Sequence, residues 1–183
     1  ARLEGASHPR WAVPSAAASL RAAVESGVGP ARSWDLAEGH RLLNGGWAAP
    51  LGHVHAALKG LALEGIPHDR EADLFDVAAD LLPDERPDDP VGPDGYLRAD
   101  AFSPGWADRD ARLLALAELV GDLARIQRER LAALGTRAVA TAYSESAAAV
   151  LCLELERDGL PIDRARAEEL VAQAAGPRPT SEA

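Results

Sequence analysis

The sequence has no methionine, one cysteine and few aromatic residues, which make up 4% of the chain. Because Cys152 has no second cysteine to pair with, an internal disulfide is excluded, and we expect a reducing, cytoplasmic location. No apolar run approaches the roughly 20 residues that cross a bilayer as a helix, so we expect no membrane partner. Residues 1–14 lack the apolar core of a signal peptide. Without an initiator methionine, we expect a processed protein or a piece of a longer one.

The charge balance is acidic, with 29 Asp and Glu residues against 19 Lys and Arg and a formal net charge of −10. Non-specific DNA binding depends on Lys and Arg that neutralise phosphates, so the chain as a whole repels nucleic acid, although a local DNA-contacting surface stays open. The apolar residues are mostly Ala, Leu and Val, and this composition predicts a mainly helical protein. A length of 183 residues suits one domain, or one domain and the start of another.

The N-terminal part predicts a strand–helix–strand–helix order. Arg10–Val13 is a short apolar strand, and Ser15 is positioned to cap the helix that follows. Ala31–Trp34 is a second extended piece, and Asp35 can cap a second helix that ends at Asn44. This order is typical of an α/β layer, and with the remaining segments it predicts an α/β fold with helix in excess.

The middle of the chain alternates helical patterns with an acidic loop. Apolar residues recur at helical spacing over Pro50–Leu63, and a shorter apolar island at Ala72–Leu82 predicts a short helix. Between them and the next helix, Pro83–Gly95 is rich in Asp, Pro and Gly, which predicts an exposed, mobile linker. The alternative interpretation of Pro83–Gly95 is a DNA mimic or a partner-binding loop.

Trp106–Leu134 has the longest helical pattern in the sequence, and Gly135 stops it. An apolar stripe is expected to face the core along this helix. The stripe consists of Leu113, Leu116, Leu119 or Val120, Leu123, Ile126 and Leu131.

Two more helices are expected after Gly135, although Thr136–Tyr143 is compatible with either extended or helical structure. Cys152 lies in the apolar part of the first helix without a neighbouring base, so we interpret it as a small core residue rather than a reactive thiol. An extended piece, Leu160–Ile162, separates the two helices. The capping and stop signals that delimit them are Ser144 or Ser146, Gly159, Asp163 and Gly176.

The sequence contains little that indicates chemistry. His53 and His55 are two residues apart, so on a helix they face different directions and cannot share a metal. Asp88 and Asp89 lie on a proline-broken loop without the spacing of a calcium site. The charged residues of the last helix, Glu168 and Glu169 among them, are interpreted as a solvated face.

Glu145–Pro179 resembles one place in one family, the junction where the exonuclease-like domain of a family A DNA polymerase enters the polymerase domain. The similar proteins are bacterial bifunctional 3′–5′ exonuclease/DNA polymerases, relatives of DNA polymerase I. The residues that carry the resemblance form a helix, a tight turn and a second helix. They are Arg157, Gly159, Leu160, Ile162 and Asp163.

A second stretch, Arg10–Asn44, is similar to the strand–helix–strand–helix of the exonuclease domain, and Trp106–Leu134 falls where the family has its last exonuclease helix. The resemblance implies a degenerate ribonuclease H-like exonuclease fold with a small sheet over residues 1–135. It implies that residues 136–183 are a helical extension, the truncated start of the polymerase thumb region.

Active members of the family bind two metal ions, for which Mg²⁺ is expected, through carboxylates from three motifs. The first motif has no candidate here, because we expect the chain to begin after its strand. The second motif aligns with Ser15 and Ser19. The third aligns with Val120 and Ala124, with Asp122 close enough to leave the register open. The resemblance therefore implies no catalytic and no metal residues in this chain.

The leading hypothesis is a catalytically inactive structural domain of a family A DNA polymerase, without the polymerase active site. Its expected partners are the remainder of the polymerase domain and, through the parent polymerase, DNA, although the sequence does not indicate which residues would bind nucleic acid. One alternative is a divergent metal-dependent 3′–5′ exonuclease that uses displaced carboxylates, Asp35 and Asp122. Another is an acidic helical module that binds a protein partner.

Overall fold

The fold is helix-rich and contains a small two-stranded parallel sheet, as seen in a computed structural model that describes residues 6–47, 49–68 and 87–176. Strand β1 (Trp11–Val13) pairs with β2 (Ser33–Asp35) so that Trp11 lies opposite Ser33. Parallel strands need a crossover connection, and here two short helices supply it. The predicted α/β class with helix in excess is confirmed at this level.

The crossover consists of α1 (Ala16–Ser19) and α2 (Arg21–Glu25), which meet at Leu20. Ser15 occupies the capping position with extended backbone, but its side chain makes no capping hydrogen bond. Instead, the Ala16 N–H donates to Oδ2 of Asp35, at 2.7 Å. Ser15 is therefore the N-cap residue, as predicted, but the side-chain acceptor at this helix end is the buried carboxylate of Asp35 from the next strand.

Helices α3 (Leu36–Asn44) and α4 (Leu51–Lys59) follow the sheet. Asp35 caps α3 as predicted, since its side chain accepts hydrogen bonds from the Ala37 and Glu38 N–H groups. Helix α4 is shorter than the predicted Pro50–Leu63. It ends where Gly60 adopts the left-handed conformation at φ 71°, a backbone geometry that glycine adopts without a steric cost.

The described part of the predicted acidic loop is held against α6 (Asp110–Leu134). Val91 and Leu97 form an antiparallel bridge, and Pro90 is buried. Arg112 of α6 is fully buried, and its Nε donates to Oδ1 of Asp88 at 2.9 Å. This stretch is therefore not uniformly exposed. Residues 83–86 and the predicted helix at residues 72–82 lie outside the described residues.

The predicted helix Trp106–Leu134 is divided into α5 (Pro104–Ala107) and α6. Its expected apolar stripe is wrong at the start, because Leu113 is exposed while the neighbouring Arg112 is buried. Arg112 has an aromatic partner, since its guanidinium lies 5.2 Å from the Trp106 ring centroid. An arginine that has hydrogen-bond and aromatic partners can replace an apolar residue in a core.

Helices α7 (Thr136–Asp158) and α8 (Arg164–Ala175) complete the described chain. The ambiguous segment Thr136–Tyr143 is helical, so Ser144 and Ser146 lie inside α7 and do not cap it. The predicted stop at Gly159 and the Asp163 cap of α8 are confirmed. Cys152 is exposed, so its predicted core position is wrong: it lies on the solvent side of α7.

The core has two clusters, and α7 contacts both. The larger one surrounds Trp34 and Trp106 and includes Ala142 of α7. The smaller one lies between β1, the crossover helices and α7, where Val24 packs near Val150. One face of α7 thus belongs to the same core as the preceding helices, whereas α8 has no buried residue. The division into domains 1–135 and 136–183 stays a prediction.

Candidate functional site

The positions that align with metal-binding motifs carry no carboxylate and lie in two different environments. Ser15 is half-buried at the end of β1, and Ser19 is exposed on α1. Val120 and Ala124 are buried in the larger core cluster, on the face of α6 that meets the rest of the protein. Hydroxyl and hydrocarbon groups at these positions cannot replace the carboxylate oxygens that divalent metals require in a two-metal site.

Asp35, the first carboxylate of the alternative nuclease hypothesis, is buried with an exposed fraction of 1%. Its Oδ2 accepts from the Ala16 N–H at 2.7 Å. Its Oδ1 accepts from the Ala37 N–H at 2.8 Å and from the Glu38 N–H at 3.2 Å. One carboxylate therefore joins the N-termini of α1 and α3, where partial positive charge favours it.

Two effects oppose each other at this carboxyl group. Burial raises the pKa of Asp35, and the hydrogen bonds from Ala16, Glu38 and Ala37 act in the lowering direction. A carboxylate that accepts three backbone hydrogen bonds has little capacity left for a metal ion. The geometry of Asp35 is that of a structural joint, by which we mean a side chain that holds two helix N-termini together.

Asp122, the second carboxylate of that hypothesis, lies on the solvent side of α6. It pairs with Arg125 of the same helix at 3.4 Å, and both side chains are more than half exposed. Within residues 6–47, 49–68 and 87–176, no three His, Cys, Asp or Glu side chains come together in a way that could hold a metal ion. The structure does not bring Asp35 and Asp122 into such a group.

A buried polar network fixes β2 between α6 and α7. The Trp34 Nε1–H donates to Oε1 of Gln127, and Gln127 Nε2 donates to the Leu36 carbonyl, both at 2.9 Å. From the other side, the Asp35 N–H donates to Oγ of Ser146 at 2.9 Å. The Ser146 hydroxyl in turn donates to the Ala142 carbonyl. Each of these buried polar groups has a partner, as a stable interior requires.

Sequence reasoning missed this network, although one signal was present. Gln127 follows Leu123 by four residues and precedes Leu131 by four, so it lies within the buried stripe of α6. A glutamine in such a stripe indicates a buried polar partner. Ser146 gave no comparable signal, because its position inside a helix depends on how the preceding segment folds.

The C-terminal part of the described chain exposes apolar side chains. Leu160 and Ile162, in the turn between α7 and α8, have exposed fractions of 72% and 74%. The turn is bounded by Gly159, which ends α7, and by Asp163, whose side chain accepts from the Arg166 N–H at 3.0 Å. Further exposed apolar residues on the same two helices are Leu151, Leu155, Leu170 and Val171. We call these six apolar side chains the exposed apolar segment.

Helix α7 is also the one described helix whose length and composition suffice to cross a membrane, with a mean hydropathy of 1.2 over its most apolar window. That is weak evidence, because core helices pass the same test. Along one face, α7 buries Ala142, Ser146, Val150 and Leu153. The most apolar window of α7 is 22% buried in the structure.

An acidic groove of about 410 Å³ lies between the 87–91 segment and α6. The carboxylates that line it are Asp88, Asp89, Glu118 and Asp122. Asp88 is already paired with the buried Arg112. The groove is open to solvent, and its charge favours a cationic partner.

The histidines of α3 and α4 are partly or fully buried. Burial lowers the pKa of His40, and the nearby His53 and Arg41 lower it further. Burial also lowers the pKa of His55, with Lys59 as a second cause. The Nδ1 atoms of His53 and His55 are buried and have no hydrogen-bond partner among the described residues. His55 is buried and His53 is half-buried, and the expectation that they do not share a metal stays a prediction.

Comparisons of the chain with protein-family models, with curated proteins and with solved structures give no match. The function therefore has to be argued from the residues and their geometry.

Proposed function

We propose that this chain is a catalytically inactive, ribonuclease H-like exonuclease domain that supports the polymerase domain of a family A DNA polymerase. The observation that carries the proposal is the exposed apolar segment around the turn Gly159–Asp163. This segment coincides with the motif that resembles the junction between the exonuclease and polymerase domains. On this proposal, its apolar side chains are the surface that the polymerase domain covers.

Burial is the physical reason to expect a partner at this place. An apolar side chain contributes about 1.5–3 kcal/mol when it moves from water into a packed interior. Contiguous exposed apolar surface on a folded protein commonly marks an interaction site. Leu160 and Ile162 lie two residues apart in the exposed turn, so both side chains are accessible to one partner surface.

The loss of catalysis follows from the chemistry of the aligned positions. Hydrolysis by two metal ions needs carboxylates held on several rigid elements. Ser15 and Ser19 offer hydroxyl groups, and Val120 and Ala124 offer hydrocarbon inside the core. Asp35 already binds three backbone N–H groups. A supporting role is therefore favoured over a nuclease.

The packing role is tested by titrating this chain with the polymerase domain of the parent protein, supplied as a separate polypeptide. We expect a stable complex that a double substitution, Leu160→Asp with Ile162→Asp, weakens by at least tenfold. Leu63→Asp is the matched control. Leu63 is also an exposed leucine, with an exposed fraction of 50%, and it lies far from Leu160 and Ile162 in sequence. A complex that tolerates the double substitution, or no complex at all, would contradict the proposal.

The inactive state is tested with single-stranded DNA and either Mg²⁺ or Mn²⁺, for which no digestion is expected. Metal-dependent digestion that disappears in Asp122→Ala, or in Asp35→Asn with the fold retained, would instead support the divergent nuclease. The reading frame after codon 183 gives a further test. Polymerase motifs there agree with the proposal, and a stop codon disagrees with it.

The acidic groove favours a second candidate function, an interaction module for a basic protein partner. Four carboxylates around one open groove attract cationic side chains, and mainly raise the rate of association. This candidate predicts a complex with a protein other than a polymerase. Replacing Glu118 and Asp122 by their amides would weaken that complex, while Leu160→Asp would not.

A further inference from the structure

A cleft of about 420 Å³ lies at the amino-terminal end of the two-stranded sheet, against the outer face of α7. The opposite, carboxyl end of the strands holds Ser15 and the Asp35 joint, so the cleft is separate from the positions aligned with nuclease motifs. Its volume lies within the range of small-molecule sites, roughly 300–1,000 Å³. The residues with polar side chains that line it are Arg10, Arg32, Ser33, Tyr143 and Glu154.

Two arginines stand next to each other on this rim. Trp11 lies opposite Ser33 in the parallel register, and the Trp11 N–H donates to the Arg32 carbonyl at 3.0 Å. Arg10 and Arg32 each precede one of these paired residues. They therefore lie next to each other just before the two paired strands, where two like charges at short range repel.

Neither guanidinium has a carboxylate partner among residues 6–47, 49–68 and 87–176. The Arg10 Nη1 donates to the Tyr143 hydroxyl at 3.2 Å, and its guanidinium lies 5.6 Å from the Tyr143 ring centroid. Tyr143 is itself fixed by an edge-to-face contact with Trp34, at 5.1 Å between ring centroids. Arg10 is thus held in place by a neutral group, which leaves its positive charge uncompensated.

The rest of the cleft is apolar, with one carboxylate at the far rim. Ala147, Val150 and Leu151 of α7 form one wall, and Pro30 and Ala31 form the other. Glu154 stands beside Gly29, where an added Cβ would come within 3.0 Å of Oε1. The cleft thus has Arg10 and Arg32 at one end, apolar side chains in the middle and the Glu154 carboxylate at the other end.

We propose that this cleft binds a small phosphorylated molecule, with its phosphate between Arg10 and Arg32 and its apolar part against Ala147, Val150 and Leu151. A dianionic phosphate relieves the repulsion between the two guanidiniums and accepts their charge-assisted hydrogen bonds. The apolar wall discriminates in favour of an organic phosphate over inorganic phosphate. The cleft shares Leu151 with the exposed apolar segment, but its binding test does not depend on the proposed polymerase-supporting role.

Calorimetric titration of the full chain with phenyl phosphate and with inorganic phosphate tests the proposal. We expect phenyl phosphate to bind more tightly than inorganic phosphate. Arg10→Gln and Arg32→Gln should each weaken its binding by about tenfold or more, the effect of losing one hydrogen bond to a charged group. Glu154→Gln should strengthen it, because a repelling carboxylate is removed.

Arg128→Gln is the matched control, since Arg128 is an exposed arginine on α6 outside the cleft. Equal weakening by Arg128→Gln, or no binding of phenyl phosphate, would overturn the proposal. A single-stranded oligonucleotide serves as a competing probe. If it binds through Arg10 and Arg32 while phenyl phosphate does not, the cleft belongs to a nucleic-acid surface and the small-molecule proposal is wrong. Thermal unfolding of each variant separates lost binding from lost folding.

Discussion

The middle and the C-terminal end of α7 lie in opposite environments. Near its middle, Ser146 is fully buried and bonded to β2, within a network that also includes Trp34 and Gln127. Past Leu153, its apolar side chains and those of α8 face solvent. The same sequence composition, rich in Ala and Leu, thus produces a packed core in one place and an unoccupied surface in the other. The difference lies in which neighbours the fold brings to each part.

The largest expected effect comes from Asp35→Ala, which removes a carboxylate from the buried part of the protein. The substitution removes the acceptor from two helix N-termini and leaves buried N–H groups unpaired, so we expect a loss of about 3–5 kcal/mol. Urea denaturation monitored by circular dichroism measures it. A loss below about 1 kcal/mol would show that Asp35 is not the joint that its geometry indicates.

Gln127→Leu should have the next largest effect, about 2–3 kcal/mol, because the buried Trp34 Nε1–H loses its acceptor and the Leu36 carbonyl loses a side-chain donor. Gln173→Leu is the matched control on α8, where the glutamine only bonds to the exposed Glu169. We expect no measurable change in the unfolding midpoint for that control. Equal effects of the two substitutions would remove the contrast between the buried network and the exposed helix.

Acidification should have a smaller effect through the buried histidines. The pKa values of His40 and His55 are lowered in the folded state, so the unfolded chain binds more protons below the ordinary histidine value of 6.5. Stability is therefore full above that pH and is lost as pH falls through 6.5 towards the folded pKa values. Burial raises the pKa of Asp35, so its titration has the opposite sign: the proton-linked part of its contribution is present below the ordinary value of 3.8 and is lost as pH rises through the raised folded pKa.

Unfolding free energies measured across this pH range check the histidine effect. His55→Leu should flatten the decline on the acid side, since it removes a buried group that must be protonated on unfolding. The exposed His68 gives the control substitution, His68→Gln. An acid-side decline that is identical in wild type and His55→Leu would assign the pH dependence to other groups.

The smallest effect is expected at the exposed end. Asp163→Ala removes the side-chain cap of α8, which costs about 1 kcal/mol of local helix stability. Because α8 has no buried residue, the midpoint of global unfolding should stay unchanged while some helical signal is lost. Circular dichroism in water and in urea separates the two. A shifted midpoint would show that α8 folds cooperatively with the core.

The predictions from the sequence were best where the cause is local. Asp35 and Asp163 cap helices as predicted, and Gly159 stops α7 as predicted. Capping depends on a few neighbouring backbone groups, so a single sequence contains the needed information. The proposed nuclease-like and polymerase-like assignments stay predictions, because they depend on a resemblance that nothing else tests.

The predictions failed where distant residues decide. The Ser15 side chain makes no capping hydrogen bond, because the Ala16 N–H donates to Asp35 of the next strand. Arg112 is buried, whereas Leu113, which was expected in the core, is exposed. Cys152 faces solvent, because α7 turns its other face towards β2 and the crossover helices. Each of these outcomes depends on a contact between residues far apart in sequence, which periodicity along one helix does not specify.

By itself the sequence determined the helix-rich class, the order of the first strands and helices, and the caps that delimit α8. These properties follow from propensity, spacing and short-range hydrogen bonds. Only the tertiary structure decided that Asp35 joins two helices and that Arg10 and Arg32 share one rim. It also decided that the apolar residues after Leu153 have no partner within the described chain. The reason is that burial and charge proximity are properties of assembled surfaces, whereas capping is a property of a few consecutive residues.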